Sequence, residues 1–136
     1  KMASKWGLKE KLAELQKMKS TLPVILGAKI RNFSMDAFRK QGWTDSGFER
    51  WKPRKYKKKD EGRAILVKRG KLKRSIKVRS ANWTRVIVGS YGIPYASVHN
   101  YGSRKMPKRT FLDKSQRLER ELKGMIEGQF LRHLKK

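Results

Sequence analysis

The sequence predicts an α+β fold: N-terminal helices, a small antiparallel β-sheet with a long basic loop, and a C-terminal helix packed on the sheet. Three observations carry that prediction. Apolar residues recur at helical spacing near both ends of the chain. Strand-like patterning is clearest over residues 76–88, and a polar stretch without periodicity divides the first helical region from the strands. At 136 residues the chain reads as one domain: a helical region (1–42), a long basic loop (43–63), the sheet and its turns (64–112) and the C-terminal helix (113–136).

Leu8, Leu12, Leu15 and Met18 share one face of a first helix over about residues 4–20, with lysines and glutamates opposite. Thr21-Leu22-Pro23 reads as a fresh start, because proline fits the first helical turn, where its missing N–H costs nothing. Val24, Ile25, Ala28, Phe33, Ala37 and Phe38 then stripe a second piece, with Gly42 in the helix-ending position. The two pieces form either a hairpin or one kinked rod. Residues 43–63 show no period and read as a loop. Trp43, Phe48 and Trp51 pin its first half to the body, and its second half is a charge run.

Ile65-Leu66-Val67 is a short apolar run, Gly70 a break, and residues 72–76 one helical turn or a bend. Ile76 and Val78 alternate with Lys77 and Arg79, the pattern of a strand with one wet face. The β-branched residues of 84–88 supply its hairpin partner. Residues 94–101 put Tyr95, Val98 and Ala96 inward over a short helix or turn ending at Gly102, and Phe111-Leu112 is placed as a further short strand. Asp113, with Gln116 three residues on, reads as the capping-box start of the last helix. Leu118, Leu122, Met125, Ile126, Phe130 and Leu134 stripe that helix, while Gly124 and Gly128 weaken it by about 1 kcal/mol each relative to alanine. The expected core comprises Leu66, Ile76, Val78, Val86, Val88, Tyr95, Phe111, Leu118 and Leu122.

Charge dominates the composition. Lys and Arg number 37 against 11 Asp and Glu, a formal net charge of +26 at pH 7. A chain so charged repels itself and calls for counter-charge, for which nucleic acid, an acidic protein and an anionic membrane all qualify. The absence of cysteine excludes disulfides and thiolate metal sites. No run approaches the roughly 20 apolar residues of a membrane span. No signal-peptide pattern opens the chain, so it reads as soluble, with no membrane partner.

Chemistry is poorly supplied. No carboxylate lies between Glu61 and Asp113, the span that holds the sheet and its turns, so paired-carboxylate acid–base work has no material there. His99 and His133 are the only histidines, and His99 beside Ser97 without a nearby acid reads as a turn histidine bonded to backbone. The stretch KRGKLKRS lacks the spacing of a phosphate-cradling loop. The chain therefore reads as no enzyme, with no cofactor. The positive signal is basic: candidate partner or nucleic-acid contacts are Lys52, Arg54, Lys55, Lys57, Lys58 and Lys59, then Lys71, Lys73 and Arg74, then Lys105, Lys108 and Arg109. Tyr56, Trp83, Tyr91 and Tyr101 are interleaved with them, compatible with base stacking or with a core role. Without a recognised nucleic-acid motif, any DNA or RNA contact would be to the backbone, without sequence readout.

Taken in order, ILVKRGKLKRSIKV, VIVGSYGIPYASVHNYG, MPKRTFL and a terminal helix resemble the phage virion morphogenesis family, also called tail-completion proteins. Ile65 to Ile76, Tyr95 to Gly102 and Met106 to Leu112 fill the places of that family's motifs, and the resemblance covers residues 65–134. Arg69 stands where a threonine is usual and Asp113 where a glycine is. The resemblance implies a structural virion protein that completes the tail or joins tail to head, as a tail terminator or head–tail connector. It implies a ring, a hexamer, whose partners are tail-tube and connector proteins; the basic charge adds packaged DNA as a non-specific partner. Its place would be the virion, at the tail end or head–tail junction, and the host cytoplasm during assembly. In this reading Met106-Pro107 makes a rigid crossing, since proline restrains itself and the residue before it. Lys105, Lys108 and Arg109 are then free to face a partner. The competing readings are a non-enzymatic, sequence-independent nucleic-acid-binding protein and a ribosome-associated or other RNA-scaffold protein.

Overall fold

The computed structural model describes residues 7–54, 64–67 and 70–134. Its first element, helix α1, runs unbroken from Leu8 to Lys40 with Pro23 inside it. At 1.5 Å per residue that is a rod of about 50 Å. The fresh helix start expected at Thr21 is not there. The hydroxyls of Ser20 and Thr21 donate backward to the Lys17 carbonyl, at 2.8 and 3.0 Å, as they do inside a helix. An N-cap would instead accept from an N–H ahead of it. Packing carries the helix through proline: Met18, Leu22, Pro23 and Gly27 are all buried.

Gln41, not Gly42, takes the left-handed conformation that ends α1, at φ 59°, with its N–H bonded to the Ala37 carbonyl. Its side-chain amide offsets the strain by donating to the carbonyls of Phe38 and Ile65, at 2.7 and 3.0 Å, while accepting the Ile65 N–H. Gly42 serves a different need. A Cβ there would lie 2.5 Å from both the Glu49 carbonyl oxygen and the Phe48 ring. Those neighbours belong to a hairpin, β1 (Gly42–Thr44) and β2 (Phe48–Arg50), paired Gly42 to Arg50 and Thr44 to Phe48. The first half of the expected loop is therefore a sheet. Strands of three residues are too short to show alternation. The charge run from Lys55 to Arg63 lies outside the described residues.

After Gly70, at φ 70°, comes one turn of helix, α2 (Lys71–Arg74), then the second hairpin, β3 (Ile76–Asn82) and β4 (Arg85–Ser90). Among the described residues the strands thus form two separate two-stranded sheets. Asn82 builds the hairpin turn by accepting from the N–H groups of Thr84 and Arg85, both at 3.0 Å. A bulge falls at Arg79: Val78 pairs with Val88 but Ser80 with Ile87 and Ala81 with Val86. The extra residue shifts the alternation, so Ile76, Val78 and Ala81 share the face toward α1 while Lys77, Arg79 and Ser80 face away.

Helix α3 (Ala96–Tyr101) and helix α4 (Gln116–Leu134) complete the chain. Asp113 is not the cap of α4; its carboxylate accepts the N–H of its neighbour Lys114. Ser115 caps instead, its Oγ accepting from the Leu118 N–H at 3.0 Å and donating to the Thr44 carbonyl at 2.6 Å. Asp45 of the first hairpin adds its carboxylate to the Gln116 N–H at 2.7 Å, beside the positive end of the helix dipole. From there α4 runs along α1 rather than across a sheet, tied by Lys29–Glu121 at 3.5 Å and Glu14–His133 at 2.6 Å. The long helix lies between α4 and the β3–β4 hairpin.

The main core gathers Ala37, Phe38, Trp51, Leu72, Ile76, Ala96 and Phe111. Of the expected core, Ile76, Phe111 and Leu118 are buried, and Leu66, Val78, Val86, Val88 and Leu122 half-buried. Tyr95 is 45% exposed, because it stands at the N-cap of α3 while Ala96 and Asn100 take the inward positions. Phe111-Leu112 forms a bend, not a strand.

Gly27 fixes how closely α1 crosses the second hairpin. A Cβ there would meet Val78 Cγ1 at 3.0 Å and Val86 Cγ1 at 3.4 Å, and β-branched valines have little room to turn. Replacing Gly27 by leucine should destabilise the fold by about 1–3 kcal/mol through overpacking, even though leucine is the better helix former. Urea unfolding measures this; an unchanged or raised midpoint would mean that the helix does not press on β3 and β4.

Candidate functional site

The second and third sequence motifs meet at one crossing, residues 109–112, and Leu72 and Ile76 of the first share its core with Phe111. Asn100, 4% exposed on the inner side of α3, accepts the N–H groups of Phe111 and Leu112 at 2.9 and 3.0 Å and donates to the Leu112 carbonyl at 2.7 Å. One side-chain amide thus does for this bend what a neighbouring strand does in a sheet. Ser34 of α1 donates to the Phe111 carbonyl, and the Trp51 indole donates to the Thr110 carbonyl at 2.8 Å. The Phe111 ring packs against Phe38 with centroids 5.2 Å apart, and Phe38 meets Trp51 edge-on at 5.5 Å. Gly102 lets the chain turn back: at φ 80°, any Cβ would sit 3.0 Å from the Lys108 backbone nitrogen.

The expected basic contacts separate on this frame. Arg109 is not free; it is 6% exposed, donating Nε to the Lys52 carbonyl at 3.1 Å and Nη2 to the Pro53 carbonyl at 3.3 Å. Its planar fork satisfies two carbonyls at the exit of the first hairpin, which makes burial of the charge tolerable. Burial, and then the Arg54 guanidinium, lower its pKa from the ordinary arginine value. Arg54 in turn donates to the Ala64 carbonyl at 2.8 Å. Lys52 and Lys108 meet at a groove of about 380 Å³ that also holds Asp45, Glu49 and Asp113, so their charge is partly answered. Lys71, Arg74 and Lys105 are exposed and Lys73 half-buried, while Lys55, Lys57, Lys58 and Lys59 lie outside the described residues.

A model of the phage virion morphogenesis family matches residues 6–135. The chain belongs to that family. No curated protein and no solved structure matches it significantly. The match extends the motif resemblance of residues 65–134 through α1, the element on which the crossing is seated. Membership gives the chain a role in building the phage virion, among other virion proteins. Among the described residues no group of three or more His, Cys, Asp and Glu is placed to hold a metal ion, and no helix is long and apolar enough to cross a membrane.

The family motif also positions His99. Its carbonyl accepts the Arg109 N–H at 2.8 Å, and its ring lies edge-on to Tyr95 at 5.6 Å. Its Nδ1 is buried and, among the described residues, has no hydrogen-bond partner, so that nitrogen does not make the backbone bond expected of a turn histidine. Burial, and then the Arg109 charge, lower its pKa below the ordinary 6.5. The folded chain thus binds this proton more weakly than the unfolded chain. Its effect on stability is nil above about pH 6.5 and unfavourable as pH falls below that value. The melting temperature should therefore drop more between pH 7.5 and 5 in the wild type than in His99→Gln. Parallel pH profiles would show that His99 is solvated in the folded chain.

Proposed function

We propose that this chain is the structural protein that completes the phage tail or joins tail to head, acting as a ring at the tail end or head–tail junction. Family membership across residues 6–135 carries the reading. The architecture suits it: a rigid helical spine bears two short sheets, and side-chain staples hold the motif segment between them. A surface that meets its neighbour head-to-tail either closes into a ring or grows into a filament, and a finished tail needs closure. Six copies is the number implied by resemblance.

Its partners in this reading are copies of itself, tail-tube and connector proteins, and the packaged DNA by charge contacts. Lys52, Lys71, Lys73, Arg74, Lys105, Lys108 and the run Lys55, Lys57, Lys58 and Lys59 supply the contacting cations. The protein acts in the virion and, during assembly, in the host cytoplasm. At +26 per copy, ring formation is opposed in dilute solution until counter-charge arrives.

Removing the gene from the infecting phage should leave filled heads together with tails that fail to join them or have faulty length, seen by negative-stain electron microscopy. Infectious, fully joined particles in its absence would contradict the proposal.

A further inference from the structure

The two sides of the molecule differ in how their charge is answered. Lys29–Glu121 and Glu14–His133 join α1 to α4, and Arg39–Asp36 lies within α1. The β3–β4 hairpin supplies no carboxylate of its own, because none occurs between Glu61 and Asp113. Its outward face carries Lys77 and Arg79, and Arg85 stands exposed beside the turn. Lys77 pairs with Gly89, whose missing side chain leaves the space that Tyr91 fills; a Cβ on Gly89 would lie 2.9 Å from the Tyr91 hydroxyl. The Arg79 guanidinium sits over that tyrosine ring at 5.9 Å from its centroid. A cation held on an aromatic face is oriented without being neutralised.

We infer that the outward face of the β3–β4 hairpin is a binding site for the phosphate backbone of duplex DNA, with Lys77, Arg79 and Arg85 as its contacts and Tyr91 positioning Arg79. Charge complementarity selects the occupant. Protein–protein interfaces deplete charged residues at their centre, whereas DNA interfaces are more polar and much more positive. Base stacking on Tyr91 is disfavoured, because the Arg79 guanidinium occupies a face of its ring. The stack instead presents a guanidinium, the group whose fork matches phosphate geometry. The bulge at Arg79 gives the strand this arrangement without disturbing the apolar face against α1. The inference rests on the DNA contact in the proposed function and assigns it to one face.

Two triple variants of equal net charge test it. Lys77→Glu/Arg79→Glu/Arg85→Glu alters this face; Lys19→Glu/Arg120→Glu/Lys123→Glu alters exposed cations of α1 and α4. Binding of a short duplex of arbitrary sequence is followed by fluorescence anisotropy across a salt series, with matched circular dichroism melts as the folding check. The hairpin variant should lose at least ten-fold more affinity than the helix variant. Its log–log salt slope should shrink by about 2–3, at about 0.9 for each phosphate no longer neutralised. Equal losses in both variants would overturn the assignment to this face. No salt-dependent duplex binding by the wild type would remove the DNA contact itself. Binding of poly-glutamate with the same hairpin-specific loss, and duplex binding without it, would make the occupant an acidic protein and overturn the inference. None of these outcomes bears on whether the chain completes a tail.

Discussion

The N–H groups of Phe111 and Leu112 and the Leu112 carbonyl find their hydrogen-bond partners in one side chain, the amide of Asn100, and the rest of the structure is arranged around that exchange. A bend in the interior leaves N–H and C=O groups that no helix or sheet ladder reaches, and each one buried without a partner costs about 1–3 kcal/mol. Here α3 supplies Asn100, α1 supplies Ser34 and the end of the first hairpin supplies Trp51. The Phe111 ring can then enter the core beside Phe38 at almost no exposure. Because the donors come from three elements, the crossing sets the position of each relative to the others. Arg109 extends the same logic outward, closing the exit of the first hairpin through the Lys52 and Pro53 carbonyls.

Around that interior the charge is distributed unevenly. Carboxylates occur on α1, α4 and the first hairpin, where they cap the start of α4 at Asp45 and tie the two long helices together. Residues 62–112 contain none. With a neutral partner the acid-free side would gain little from its charge and retain its self-repulsion. That imbalance is the ground on which an anionic partner is proposed for the hairpin face, whereas carboxylates on α1 and α4 answer part of the charge on the helical side. The bulge at Arg79 shows both demands met within one strand, valines inward and cations outward.

Much of this was legible in the residues. The stripe Leu118–Leu122–Ile126 announced a terminal helix, and alternation from Ile76 announced β3, because burial on one face imposes a period that composition reveals. The crossing at Met106-Pro107 into Phe111 was visible as a motif, but its partner was not. Asn100 shows no periodicity, and a side chain that replaces a strand leaves no pattern. Pro23 left a hairpin and a single rod both open, because local rules place proline at a helix start; the rod is what forms, with Leu22 and Gly27 buried on either side of the proline. Arg109 misled for a related reason: a guanidinium reads as surface until two backbone carbonyls are brought to it by residues 56 and 57 positions away. The cap of α4 depended on Asp45 and Thr44, distant in sequence, so Asp113 appeared the better candidate.

Native-state hydrogen exchange at the Phe111 and Leu112 amides tests the central role of the crossing most directly. If the Asn100 staple organises the interior, both amides exchange only through global unfolding, in the slowest class with Phe38 and Ile76. Exchange of these two amides as fast as those of the exposed turn at residues 103–105 would show that the crossing opens on its own and that the fold does not depend on it.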